Sequence, residues 1–309
     1  RLEWMDDPWR DVRAAGEWLL RLESIVRPTV VHLNQFAFGA LPFAAPTLVV
    51  GHSCVLSWWR AVHGSDAPAS WDGYRAAVHA GLANATLVGA PTQAMLTALC
   101  EEHGCFGSGV VLPNGRSASD FAPARKEPIV FAAGRVWDAA KNVAALEAVA
   151  PRLRWPVVVA GAAQRPGGAT RETTGLVALG ELAPAAFANE LGHATIFAAP
   201  ARYEPFGQGA LEAGLAGCAL VLGDIASLRE VWGDAAVFVD PADHEALHAA
   251  LTALIDDPQR CGRLATQARS RALTFSVRRM VDAYLAAYRR AALGAAAGAD
   301  ALPEVECAS

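Results

Sequence analysis

The sequence predicts an α/β protein made of two doubly wound, mostly parallel sheets. Short apolar, β-branched runs such as Pro46-Thr-Leu-Val-Val-Gly51 and Pro156–Ala160 recur along the chain, as expected of strands covered on both faces. Segments of helical length separate these runs, and strand–helix alternation of this kind builds a parallel sheet with helices on either side. The alternation is interrupted once, by Phe121-Ala-Pro-Ala-Arg-Lys-Glu-Pro128, a linker-like stretch that divides it into two domains.

The first 25 residues read as a helix, with Trp18, Leu19, Leu22 and Ile25 at helical spacing. Strands follow at 29–33, 46–51, 85–90 and 110–112, the last closed by the turn Pro113-Asn-Gly115. Helices lie between them at 71–81 and 92–102, the second capped by Thr92. After the linker, strands are expected at 129–133, 156–160, 176–179, 195–199, 219–222 and 236–239. Helices at 143–150, 184–191, 207–216 and 227–232 connect them, and two more begin at His244 and Pro258. The expected domains are 1–122 and 123–276, followed by a final helix at 277–292. The Ala/Gly-rich tail, 293–309, reads as disordered.

At 309 residues the chain is long enough for two ordinary domains. Alanine supplies much of its 53% hydrophobic content, and the longest apolar stretch, Ala213–Gly223, falls well short of the roughly 20 residues that cross a bilayer. No signal-like leader opens the sequence, which favours a cytoplasmic protein. The six cysteines (54, 100, 105, 218, 261 and 307) are scattered singly, so neither a zinc site nor a disulfide framework is expected. A formal net charge of -5 argues against a general nucleic-acid partner. Neither GxGxxG nor GxxxxGK[ST] occurs, which removes the main support for dinucleotide-dependent or P-loop chemistry.

Parallel sheets bind ligands beyond the carboxyl ends of their strands, and the chemistry-bearing residues fall there. The densest segment is Arg202-Tyr-Glu204-Pro-Phe206-Gly207-Gln208-Gly209-Ala-Leu-Glu212, where a strand gives way to a glycine-opened helix. Bare helix N-terminal amides suit an anionic ligand, and a carboxylate can accept from two vicinal hydroxyls. The plainer reading has Glu204 stabilising the helix start and Glu212 on the surface. A second segment, Gly134-Arg135-Val-Trp-Asp-Ala-Ala-Lys141-Asn142, places an Arg fork and a Lys point charge where they could clamp a diphosphate. Taken alone it is solvated loop charge, but both segments end strands of one sheet. In the first domain His52 follows a strand, Trp58 and Trp59 read as core or cleft wall, and Asn114-Gly115-Arg116 reads as a turn.

These stretches, in this order, resemble the retaining glycosyltransferases of family 4 (group 1), which have the GT-B fold. The likeness rests on His52, on Pro113-Asn-Gly with Phe121, on Gly134-Arg135 with Lys141-Asn142, and above all on the complete E-x7-E segment from Glu204 to Glu212. It implies two Rossmann-like domains facing a cleft and transfer of a sugar from a nucleoside-diphosphate donor, a UDP- or GDP-hexose. Arg135 and Lys141 would hold the diphosphate, Glu204 the donor sugar and Glu212 the ribose. Amides near Phe206, Gly207 and Gln208 would touch sugar and phosphate, and His52 would approach the sugar from the facing domain. The catalytic set it implies is Glu204, His52, Arg135 and Lys141.

The resemblance further implies no cofactor and no required metal, and front-face transfer in which the leaving phosphate helps deprotonate the acceptor. The acceptor is not identified by the residues; the resemblance leaves open a glycan, a lipid-linked or a small-molecule acceptor, and for such enzymes a peripheral place at the inner membrane face is an expectation. Nothing before Pro28 matches the family's opening strand and glycine-rich loop, so the first domain reads as incomplete by roughly 60 to 90 residues. A first domain so shortened would expose a sheet edge and invite self-association. Two other readings stay open: a sugar epimerase of the same fold, and a non-catalytic donor-binding or partner-binding remnant.

Overall fold

The structure, a computed structural model, describes residues 1–165, 168 and 170–296. The chain forms two compact units, Arg1–Pro113 with Met280–Ser309, and Asn114–Arg279. Residues 293–296 continue the last helix; the rest of the segment read as a tail, 297–309 with Cys307, lies outside the described residues.

The first unit holds a four-stranded parallel sheet in the order β1-β2-β3-β4: β1 Val31–Leu33, β2 Thr47–Val50, β3 Leu87–Ala90 and β4 Gly109–Val111. Every residue of β2 and β3 is buried, which explains their unbroken apolar sequence. The unit also holds α1 (Trp9–Val26), α2 (Val55–His63), α3 (Asp72–Asn84) and α4 (Gln93–His103), the last packed on β3 and β4. Thr92 caps α4, its hydroxyl accepting from the Met95 amide at 3.1 Å. One face of the sheet, through Leu48, Val50, Leu87 and Leu112, packs on Ala287 and Ala291 of α11 (Val277–Ala296). The apolar row of α1 does not face this core: Val12 and Gly16 are buried, whereas Trp18, Leu22 and Ile25 are exposed.

The second unit is a six-stranded parallel sheet in the order β10-β9-β8-β5-β6-β7. Its strands are β5 Glu127–Ala133, β6 Val157–Ala160, β7 Val177–Gly180, β8 Ala194–Ala199, β9 Ala219–Gly223 and β10 Val237–Val239. Neighbours along β5, β8 and β9 alternate between two cores, as the period-2 geometry of a strand requires. Phe131, Phe197, Leu220 and Leu222 point to the layer of α6 (Pro184–His193), α7 (Gln208–Leu215), α8 (Ala226–Trp232) and α10 (Pro258–Ala272). Val130, Ile196, Ala219 and Val221 point to α5 (Val143–Val149) and α9 (His244–Asp256).

The linker-like stretch is shorter than the sequence suggests, and residues 114–122 go with the second unit. Phe121 enters the second unit's core, and the Arg116 amide donates to the Phe275 carbonyl at 3.0 Å. Lys126 is anchored too, its ammonium donating to the carbonyls of Ala194 at 2.8 Å and Ala216 at 2.7 Å. Burial lowers the Lys126 pKa, and the neighbouring Cys218 opposes that shift.

Candidate functional site

In chain order the second sheet winds outward from β5 through β6 and β7, then restarts beside β5 with β8, β9 and β10. The direction reverses between β5 and β8, and a doubly wound sheet opens its ligand crevice at that point. A cleft of about 610 Å³ lies there, and the loops leaving β5 and β8 supply three of its charged side chains. Arg135 and Lys141 come from the first loop and Glu204 from the second; Glu212 is on α7, while Glu181 follows β7. Arg116 completes the lining.

The floor of the crevice is backbone against backbone. Gly161 has φ +142°, and a Cβ there would stand 1.8 Å from the Gly134 carbonyl oxygen, so only glycine lets the loops after β5 and β6 meet. The loop after β5 then turns at Asn142, whose left-handed φ of 54° is tolerated by an Asn. The Asn142 side-chain amide donates to the carbonyls of Pro200 at 2.9 Å and Pro241 at 2.8 Å, tying this loop to the ends of β8 and β10.

Glu204 sits at the start of α7 and is held at both oxygens. The Gly207 amide donates to Oε1 at 3.0 Å, and Lys141 Nζ donates to Oε2 at 2.5 Å. Its own carbonyl accepts from the Ser227 hydroxyl at 2.5 Å. The helix-start role and the cleft role therefore coincide in one carboxylate. Gly207 takes φ +92° before α7, and residues 207–210 line the cleft, so the first-turn amides that no helix can satisfy internally lie along it.

Arg135 donates from Nη2 to Asp138 Oδ2 at 2.6 Å, with its guanidinium 5.4 Å from the centre of the Trp137 ring. Asp138 is buried and also accepts from the Ala140 amide, so it fixes both the loop and the Arg. Glu212 is buried on α7. Burial raises its pKa, while the hydrogen bond and charge of Arg116 act in the opposite direction.

The structure thus brings Arg135, Lys141, Glu204, Gly207, Gln208 and Glu212 to one cleft. The Phe206 side chain turns away from it, buried in the core and edge-on to Phe275 at 5.5 Å between ring centres. His52, in the first unit, is exposed just beyond the carboxyl end of β2, and its Nε2–H donates to Asn34 Oδ1 at 3.0 Å. Desolvation and the nearby His32 hold its pKa below the ordinary imidazole value.

Sequence reasoning missed Arg116, read only as a turn residue; its Nε is 2.7 Å from Glu212 Oε1. The Pro-Asn-Gly turn places it there, because Gly115 packs against the Ser276 backbone, where a Cβ would stand 2.4 Å from the carbonyl oxygen. Asp138 and Glu181 were also missed, and a lone acidic residue in a loop carries no signal that would single it out.

Residues 127–257 match the family described as Glycosyl transferases group 1. Over 74 residues the chain is 43% identical to the glycogen synthase of Mycobacterium tuberculosis, a match covering 23% of this chain and 18% of that protein. Among solved structures, sucrose-phosphate synthase from Thermosynechococcus elongatus superposes with a TM-score of 0.80 at 19% identity, covering 94% of this chain and 80% of that one. Anabaena HepE, solved in complex with UDP and glucose, gives 0.74 at 18% identity, covering 89% and 81%. The alpha,alpha-trehalose-phosphate synthase (UDP-forming) of Burkholderia vietnamiensis gives 0.69 at 14% identity, covering 92% and 78%. The two parallel sheets are those of the GT-B fold.

Proposed function

We propose that the protein is a retaining glycosyltransferase that moves a hexose from a nucleoside-diphosphate donor to an acceptor hydroxyl. The observation that carries this reading is the convergence of Arg135, Lys141, Glu204, Glu212 and the start of α7 on one cleft at the sheet's reversal point. UDP-sugar binding in Anabaena HepE, of the same fold, supports a UDP-hexose as the first donor to test.

The anomeric C–O bond to the diphosphate breaks as negative charge grows on the leaving phosphate and positive character on the sugar carbon. Arg135, Lys141 and the α7 amides meet that negative charge, so no metal is assigned to the step. Glu204, held by Lys141 and the Gly207 amide, is aligned to accept from the sugar hydroxyls. The acceptor hydroxyl attacks on the face the diphosphate leaves, and its proton passes to the departing phosphate oxygen. His52 is assigned the sugar contact that the family resemblance implies.

The test is incubation with UDP-, GDP- and ADP-hexoses, reading the nucleoside diphosphate released and the anomeric configuration of the sugar product by proton NMR. An α-configured product from an α-linked donor is expected. A β product contradicts retention, and nucleotide binding without turnover leaves a donor-binding protein. Altered donor sugar with no transfer would make the protein an epimerase.

A further inference from the structure

Arg116 has a defined place that the proposed reaction leaves unused. Its backbone is fixed by the hydrogen bond its amide donates to the Phe275 carbonyl and by a bridge pairing with Ser276. Its side chain is 42% exposed, whereas that of Glu212, which it meets at 2.7 Å, is 10% exposed. With the Gln208 amide turned so that its oxygen faces the guanidinium, that oxygen accepts from Arg116 Nη2 at 2.8 Å and Nε at 2.9 Å. The cation thus spans residues at the start and the middle of α7.

We propose that Arg116 is a positioning residue for Glu212: it holds Oε1 and keeps the carboxylate ionised, leaving Oε2 to accept from the vicinal hydroxyls of the donor's ribose. The inference rests on the donor-site reading above. Burial raises the Glu212 pKa and the Arg116 cation acts against that shift, and a protonated carboxyl offers the diol one acceptor fewer. Among the described residues, no other charged side chain of the cleft is engaged with Glu212. Lys141 bonds Glu204 and Arg135 bonds Asp138. From α10, Arg269 donates to the Leu215 carbonyl and Arg271 to that of Val231. Glu181, across the cleft, carries the same sign as Glu212 and cannot replace Arg116.

The opposite arrangement, in which Arg116 occupies the ribose position and competes with the donor, predicts the opposite sign. Calorimetric affinity for UDP, GDP and ADP is measured on the full chain at pH 6 and pH 8, for the wild type, R116K, R116M, E212Q and the R116M/E212Q pair. For the nucleotide the wild type binds, R116K is expected to stay within about 3-fold of wild type, since it keeps a cation. R116M is expected to weaken binding at least ~10-fold at pH 6 and clearly less at pH 8, because Glu212 regains its charge as pH rises. In the E212Q background R116M should add little, because the two act as one unit. A carbon-13 titration of the Glu212 carboxyl, with no nucleotide present, should show its pKa higher in R116M. Thermal melts of each variant separate these effects from unfolding.

Unchanged or tighter nucleotide binding in R116M overturns the proposal, as does an equal loss at both pH values or an unmoved Glu212 titration. Absence of binding by the wild type to all three nucleotides fails the donor-site reading itself and removes the inference with it. Binding by the wild type that is insensitive to Arg116 fails the inference alone.

Discussion

Six charged side chains in and beside the cleft form opposite-sign pairs: Lys141 with Glu204, Arg135 with Asp138, Arg116 with Glu212. Such pairing limits the reorganisation that binding would otherwise require. A different electrostatic arrangement lies in the first unit. His103 is buried, with Nε2 3.3 Å from the Cys54 sulfur, and burial lowers its pKa from 6.5 to about 4. Between these values the unfolded chain binds a proton that the folded chain does not, so stability is fully present above pH 6.5 and falls as pH drops toward 4. The loss should reach about 3 kcal/mol, and urea denaturation across that range should show a shallower fall in His103→Gln than in the wild type. Parallel curves for the two proteins would contradict this. Residue types after strand ends were legible in the sequence, and Arg135, Lys141 and Glu204, singled out there with Glu212 of α7, line one cleft. Partners were not: Asp138 lies three residues from Arg135, but Arg116 and Glu212 are 96 apart and only the fold joins them.

Element by element, the alternation of strands and helices was legible because strands buried on both faces must be apolar throughout. The helix over the first residues shows where such reading stops. Spacing gives a helix, yet Trp18, Leu22 and Ile25 are exposed while Val12 and Gly16 are buried, since periodicity says nothing of what a face meets. Asn142 shows what joins elements in the second sheet. Its one amide spans the ends of β8 and β10 from the loop after β5, in a backbone conformation that alanine disfavours. Asn142→Ala leaves two carbonyls short of a donor and adds the left-handed cost, so a loss of about 3 kcal/mol is expected in urea denaturation. Asn142→Asp, which tolerates the conformation but cannot donate, should lose most of the same stability. Retained stability in the Asp variant would shift the cause from hydrogen bonding to backbone conformation.

For the whole molecule, the chain leaves the first unit at Pro113 and returns at Met280, so the last helix is a packing partner of the sheet that begins the chain. Ending the chain at Arg279 would strip Ala287 and Ala291 from Leu48 and Val50, and the first unit should then unfold or aggregate. Both cores of the second unit and the whole cleft lining fall within 114–279. That segment alone is expected to fold and to keep nucleotide affinity within about 10-fold of the full chain, as calorimetry would show; an unfolded or non-binding segment contradicts it. The strand order, and with it the reversal point between β5 and β8, was not legible: many windings are compatible with one alternation of strands and helices. The account stands on the donor site, and its most direct test is calorimetric titration of the full chain with UDP-, GDP- and ADP-hexoses, beside Glu204→Ala and Arg135→Ala. Saturable binding of one donor by the wild type, weakened ~10-fold or more in both variants, is the predicted result. A folded wild type that binds none of them, or variants that bind as well as it does, would contradict the account.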